Sequence, residues 1–221
     1  MSEDFINSVI SRLGKPDILG RDQSFNTAVA IPIVKIRDEY NLLFEKRAEH
    51  IRQGSEICFP GGEFDETKDK DYKETAIRET NEELNIPKDK IVYAGKLGTY
   101  VNVSNVIVEA YVVELKISSL NKLQVDENEV GKIFTVPISY FKENKPEEYN
   151  VKVQSSPFEV NENGERTIIF PTEELNLPAR YHKPWGERKR KIYVYKYDGE
   201  VIWGITAFLT REFIRKINDL I

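Results

Sequence analysis

The stretch from Asp71 to Pro87 constrains this chain more than any other, because it carries its own start and stop signals around a run of carboxylates. Asp71 is an N-cap residue with Glu74 three positions on as its capping-box partner. Asn85 tolerates the left-handed cap conformation, and Pro87 forbids continuation. The spacing predicts a helix from about Tyr72 to Leu84, with Tyr72, Ala76, Thr80 and Leu84 on its buried stripe. Glu79 and Glu83 are then four apart and Glu79 and Glu82 three apart, so three carboxylates crowd one face. Like charges at that spacing repel, and the penalty grows with burial. Arg78 can bridge to Glu82, but one guanidinium does not neutralise three carboxylates. A hard divalent cation does: Mg²⁺ takes oxygen ligands and keeps waters, which suits carboxylates plus substrate phosphates. The plain alternative is a solvated acidic face.

Just upstream lies Phe59-Pro60-Gly61-Gly62, followed by Glu63, Asp65 and Glu66. Glycines permit backbone angles and close approaches that a Cβ blocks, so Arg47 to Gly62 reads as a shaped loop. A turn carbonyl and the helix carboxylates then face one ion. Elsewhere, Phe5, Val9, Ile10 and Leu13 predict a short N-terminal helix over 4–13. Thr27 to Ile36 and Leu42 to Arg47 read as a hairpin, and strands are expected at Ile91 to Val101, Val106 to Leu115 and Lys132 to Val136, with a short helix at Ile138 to Lys142. Glu143 to Arg190 is polar and proline-punctuated, a long excursion with one strand near Thr167 to Phe170. Ile192 to Tyr197, the turn signal Asp198-Gly199 and Val201 to Trp203 read as a second hairpin, before an amphipathic helix from Thr206 to Leu220.

With 221 residues, one elaborated domain over 1–221 is expected, and 40% hydrophobic with 31% charged residues is an ordinary globular composition. The net charge of -5 argues against a duplex nucleic-acid binder, which needs a basic surface. No apolar run reaches the roughly 18 residues of a membrane span. The single cysteine, Cys58, has no internal disulfide partner, and no signal-peptide pattern is visible, which fits a cytoplasmic location. Cys58 lies between Ile57 and Phe59 with no histidine placed to activate it, so it reads as a packed thiol. His50 and His182 are too scattered for a zinc site. Trp203 and Tyr193 read as core or hairpin packing.

The helix and its upstream glycines resemble the Nudix hydrolase family, whose box runs G-x(5)-E-x(7)-R-E-U-x-E-E-x-G-U, U being a bulky aliphatic residue. Gly62 matches the first glycine, and Arg78-Glu79-Thr80-Asn81-Glu82-Glu83-Leu84-Asn85-Ile86 the second half. The chain departs from the box in three places. Gly62 to Arg78 is two residues longer, Lys70 stands eight before Arg78 where the box has glutamate, and Thr80 and Asn85 replace an aliphatic residue and a glycine. Glu63, Asp65, Asp69, Asp71 and Glu74 are all candidates to replace the displaced glutamate. Further matches resemble the coenzyme A diphosphatase branch: Arg47, Ile51 and Arg52, then Ile57 before Phe59-Pro60-Gly61-Gly62, Glu127-Asn128-Glu129-Val130, and Ile202-Trp203-Gly204-Ile205-Thr206-Ala207. Gln53 and Ser55 stand where that signature has histidine and glycine.

The resemblance implies an α+β fold of Nudix type, an α/β/α sandwich with a mixed β-sheet, the glutamate helix on one side and a C-terminal helix. It implies a Mg²⁺- or Mn²⁺-dependent hydrolase cleaving coenzyme A or its derivatives to 3′,5′-ADP and 4′-phosphopantetheine. Metal ligands are expected at Glu79, Glu82, Glu83 and Gly62, catalytic roles at Glu79, Arg78 and Glu129, and substrate contacts at Arg47, Arg52 and Gly61. The partner is a small nucleotide substrate, without nucleic acid or membrane, and a homodimer is left open. A second basic cluster, Arg180, His182, Lys183 and Arg188 to Lys191, reads as a solvated rim. The competing readings are a Nudix enzyme for ADP-ribose or dinucleotide polyphosphates, and a catalytically weak nucleotide-binding module.

Overall fold

The structure is a computed structural model that describes residues 7–8, 18–117, 119–120 and 123–218. Of the expected N-terminal helix only Asn7 and Ser8 are described, both helical; the rest lies outside the described residues. The chain forms two compact units, residues 1–34 with 59–130, and 35–58 with 131–221.

In the first unit, β1 (Phe25–Ile36) pairs in parallel with β6 (Val106–Leu115), and β6 pairs antiparallel with β5 (Ile91–Asn102). On the other side of β1 runs a short antiparallel strand, β4 (Gly61–Glu63), in the register Thr27↔Glu63, Ala28↔Gly62, Val29↔Gly61. The sheet is therefore mixed. The Gly-Gly pair lies in a strand and not in a tight turn, and neither glycine has a positive φ. What these positions require is room. A Cβ on Gly61 would stand 2.4 Å from the Ala28 carbonyl oxygen, and one on Gly62 2.4 Å from Glu79 Oε1.

The helix runs Tyr72–Leu84 and packs on β4, β5 and β6. The Asp71 carboxylate accepts from the Glu74 N–H at 2.9 Å, a cap that stabilises by about 1 kcal/mol. Glu74 returns to the Lys70 N–H at 2.9 Å, one residue outside the expected capping-box partner. Asn85 closes the helix at φ 51, ψ 42, and the Asn81 amide donates to the Ile86 carbonyl oxygen at 2.8 Å. Ala76, Thr80 and Leu84 are buried as the periodicity predicts, together with Thr75 and Glu83; Tyr72 is half-buried and packs on Phe64 with ring centroids 4.4 Å apart and the planes tilted by 34°. Beneath the helix, buried Glu109 of β6 binds Arg21 at 2.7 Å, Lys96 at 2.7 Å and the Thr99 hydroxyl at 2.7 Å. Burial works to raise this carboxyl, and Lys96, Thr99 and Arg21 together hold it below the usual range.

In the second unit, β2 (Glu39–Arg47) pairs with β3 (Ile57–Cys58) and with β7 (Val130–Pro137), which leads into a short helix, Ile138–Glu143. Phe44, Phe134, Phe141 and Tyr195 form an aromatic cluster at its core. The stretch expected to be irregular apart from one strand near Thr167 to Phe170 holds a long strand, β8 (Glu147–Ser155), and a small hairpin, β9 (Phe158–Val160) with β10 (Arg166–Ile168), the last overlapping the expected strand. β8 pairs with β11 (Trp185–Tyr197), which starts well before Ile192, and β11 turns through Asp198 (φ 48) and Gly199 (φ 79) into β12 (Glu200–Trp203). Two consecutive positive φ values are those of the type I′ turn expected there. The last helix is described over Gly204–Ile217.

Candidate active site

Arg78 is the hub of the glutamate helix. One edge of its guanidinium is held by Asp69, Nε to Oδ1 and Nη2 to Oδ2, both at 2.9 Å. The remaining nitrogen, Nη1, reaches Glu79 at 2.6 Å and Glu82 at 3.0 Å. The Asp69 side chain is 2% exposed and that of Arg78 12%, so this is a shielded, bidentate pair. Arg78 holds the Asp69 carboxyl below its usual range. Among the five loop carboxylates open from the sequence, Asp69 is therefore the one that pairs with Arg78. The others have different tasks: Asp65 folds back on the N–H and hydroxyl of Thr67, Asp71 caps the helix, Glu74 reaches Lys70, and Glu63 is exposed. Two extra residues in the loop leave room for the turn that Asp65 builds, with the Lys68 and Asp69 N–H groups both donating to the Asp65 carbonyl oxygen.

The three glutamates face different surroundings. The Glu79 carboxylate lies against the Cα of Gly62. Burial pushes its carboxyl up, Arg78 opposes this, and the charges of Glu82 and Glu129 add to the rise. Glu82 is the exposed one, with 56% of its side chain accessible. Glu83 is buried at 3% exposure and accepts from the Gly61 N–H at 2.9 Å, tying the helix to β4. The Gly62 carbonyl oxygen accepts from the Thr27 hydroxyl at 2.6 Å. Glu129 stands in a turn anchored to the helix end, since the Asp126 N–H donates to the Glu83 carbonyl at 2.9 Å and the Glu129 N–H to the Asp126 carbonyl at 3.0 Å.

Among the described residues, no three His, Cys, Asp or Glu side chains converge as a ready-made cation cage. Carboxylates on this face are held instead by Arg78 and by the Gly61 N–H. The donor set still fits a hard divalent ion. It consists of carboxylate and carbonyl oxygens, and Glu79 sits where its negative charge is poorly solvated, at a glycine that leaves no competing side chain. An open groove of about 690 Å³ runs past Arg78 and Glu79, walled by Glu63, Asp65 and Glu66 and by Ser24 and Asn26 of the β1 entry.

Gly61 presents its N–H to Glu83. Arg47 and Arg52 belong to the second unit, where the Arg47 Nε donates to the Arg52 carbonyl at 3.2 Å across a tight loop with Gln53 and Ser55 at positive φ. Cys58 is half-buried on β3, and His182 meets the Leu177 carbonyl at 3.0 Å. Trp203 is 45% exposed on the hairpin, while Tyr193 lies under Arg211. Asp69 was visible only as one loop carboxylate among five, because its contact with Arg78 spans a loop and a helix turn and leaves no periodic trace.

The NUDIX domain profile matches residues 26–155, more than half of the chain. The chain belongs to the Nudix family. A Nudix hydrolase of uncharacterized function from Photorhabdus laumondii, NudL, is 28% identical over 218 residues, with 97% of each chain covered. The NudL protein of Yersinia pestis is likewise 28% identical, over 225 residues, covering 97% of this chain and 94% of its own. A MutT/nudix family protein from Enterococcus faecalis aligns over 99% of this chain and 70% of its own with a TM-score of 0.49 and 10% identity. The Nudix family and the NudL proteins make the chain a hydrolase, its fold is α+β with a mixed sheet, and among the described residues no helix is long and apolar enough to cross a membrane.

Proposed function

We propose that this Nudix hydrolase cleaves the diphosphate of coenzyme A or its derivatives with Mg²⁺ or Mn²⁺, giving 3′,5′-ADP and 4′-phosphopantetheine. The observation that carries the diphosphatase reading is the juxtaposition of Glu79, Gly62 and Arg78 at the edge of the acidic groove. Glu79, Glu82 and Glu83, with the Gly62 carbonyl, would hold the ion. A divalent cation bound there supplies charge neutralisation for the diphosphate and acidifies water. Asp69 and Arg78 set the position of Glu79, and Glu83 keeps the helix in register with β4. Water attacks one phosphorus, the bridging P–O bond breaks with its electron pair leaving on the departing phosphate, and the water's proton passes to a carboxylate; Glu79 and Glu129 are the two candidates for that base.

The choice of coenzyme A rests on the sequence segments around Arg47, Arg52, Glu129 and Trp203. Coenzyme A carries a 3′-phosphate beyond reach of the diphosphate ion, and arginines recognise such a group by forked hydrogen bonds, the role proposed for Arg47 and Arg52. A product assay on coenzyme A, dephospho-coenzyme A, ADP-ribose and diadenosine polyphosphates with each ion tests it. Release of 3′,5′-ADP with coenzyme A as the preferred substrate is the expected result. Preference for ADP-ribose or a dinucleotide polyphosphate would overturn the substrate while keeping the chemistry.

A further inference from the structure

We propose that β8 is a homodimerisation edge, pairing antiparallel with β8 of a second copy of this chain. The three-stranded sheet of the second unit has the order β12-β11-β8, so among the described residues no strand pairs with the outer edge of β8. That leaves a row of backbone N–H and C=O groups along the nine-residue strand Glu147–Ser155 facing outward. Eight of the nine residues are exposed, Val153 being half-buried, and the facing part of β11 from Gly186 to Lys189 is exposed as well. A two-stranded ribbon bare on both faces is marginal in water, and a third and fourth strand are the usual remedy.

The rest of the molecule shows what a protected edge looks like. β5, the outer strand of the first unit, carries two irregularities, between Tyr93 and Gly95 and between Lys96 and Gly98, which disrupt the row of outward groups. β8 has neither proline nor glycine, and the one irregularity in its pairing falls between Trp185 and Arg188, near its C-terminal end.

The sequence of β8 is complementary to itself in one antiparallel register. With Asn150 opposite its own copy, Glu148 faces Lys152 on the other face of the ribbon from Tyr149, and Tyr149 faces Val151, each pair occurring twice by symmetry. Tyr149 is 51% exposed and Val151 43%, so this pairing covers the apolar side chains that β8 presents to water. Shifting the centre to Val151 sets Glu148 against Gln154 and Asn150 against Lys152, which loses both charge pairs. Within the chain Glu148 meets Lys191 at 2.6 Å and Lys152 meets Glu187 at 3.2 Å, and in this register the second copy's Lys152 and Glu148 extend both exposed pairs across the edge; a basic strand would instead suit nucleic acid, and β8 carries two glutamates and one lysine.

Sedimentation velocity of the full chain at rising concentration tests this, with circular dichroism melts confirming that each variant is folded. The wild type is expected to reach the mass of two chains. Lys152→Glu sets glutamates opposite one another at two places, and weakens association by about tenfold or more. Adding Glu148→Lys to that variant restores opposite charges in the same register and restores the dimer. A wild type that stays monomeric, a dimer that Lys152→Glu leaves unchanged, or a double variant no better than the single one would each overturn the proposal.

Discussion

Replacing Gly62 by alanine separates the chemistry of this fold from its stability. The new Cβ would lie 2.4 Å from Glu79 Oε1, 2.5 Å from its Cδ and 2.9 Å from Oε2, roughly 1 Å short of ordinary contact. All three atoms end a flexible side chain, so the carboxylate moves and the backbone stays. That movement takes Glu79 off the position that Arg78 and Asp69 hold, and a displacement of about 1 Å costs on the order of a hundredfold in rate, or about 2.7 kcal/mol of transition-state stabilisation. The stability change stays within about 1 kcal/mol. Gly61→Ala is the control with the opposite outcome, because its Cβ would meet the Ala28 carbonyl oxygen at 2.4 Å and the Val29 Cα at 2.8 Å, backbone atoms of a buried strand. It is expected to lose about 2 kcal/mol or more of stability. Measuring kcat/KM for coenzyme A beside the urea midpoint of each variant tests both. A Gly62→Ala protein with full activity, or one destabilised as much as Gly61→Ala, would refute the placement of Glu79 against Gly62.

Three further variants bear on the site. Asp69→Asn leaves the shielded Arg78 guanidinium short of a charged partner, and urea denaturation at neutral pH should show a loss of about 3 kcal/mol. Because Arg78 depresses the folded-state pKa of Asp69, this contribution is complete above about pH 4, the unfolded value, and disappears as pH falls through the lower folded value. The gap between wild type and Asp69→Asn should therefore close on acidification below that point, and a gap constant down to strongly acidic pH would contradict the ion pair. Glu83→Gln keeps an oxygen for the Gly61 N–H, so it should fold normally yet lose diphosphate hydrolysis by orders of magnitude; near-normal turnover with metal present would remove Glu83 from the ligand set. Arg52→Ala should raise KM more for coenzyme A than for dephospho-coenzyme A, and equal effects would argue against a 3′-phosphate contact.

The glutamate helix was legible in the sequence because both its ends carry residues whose cap geometry depends on local backbone alone, Asp71 and Asn85. The hairpin at Asp198-Gly199 was legible for the same reason. β8 was not, because a strand exposed on both faces leaves no alternation of apolar and polar residues to read. The Gly-Gly pair was recognised as a place of close approach, but its assignment to a strand depends on pairing with β1, which is a contact between distant residues. Burial of Glu83 and the grip of Asp69 on Arg78 are likewise tertiary facts: helical spacing places Glu83 on a face, and only the fold brings the Gly61 N–H beneath it.

The most direct test is to incubate coenzyme A with the chain and Mg²⁺ or Mn²⁺, with and without chelator, and to identify the products by mass spectrometry. Metal-dependent appearance of 3′,5′-ADP and 4′-phosphopantetheine, abolished in Glu83→Gln, is the expected result. Intact coenzyme A, ADP-ribose and diadenosine polyphosphate in the presence of either ion would contradict a diphosphatase built on this helix.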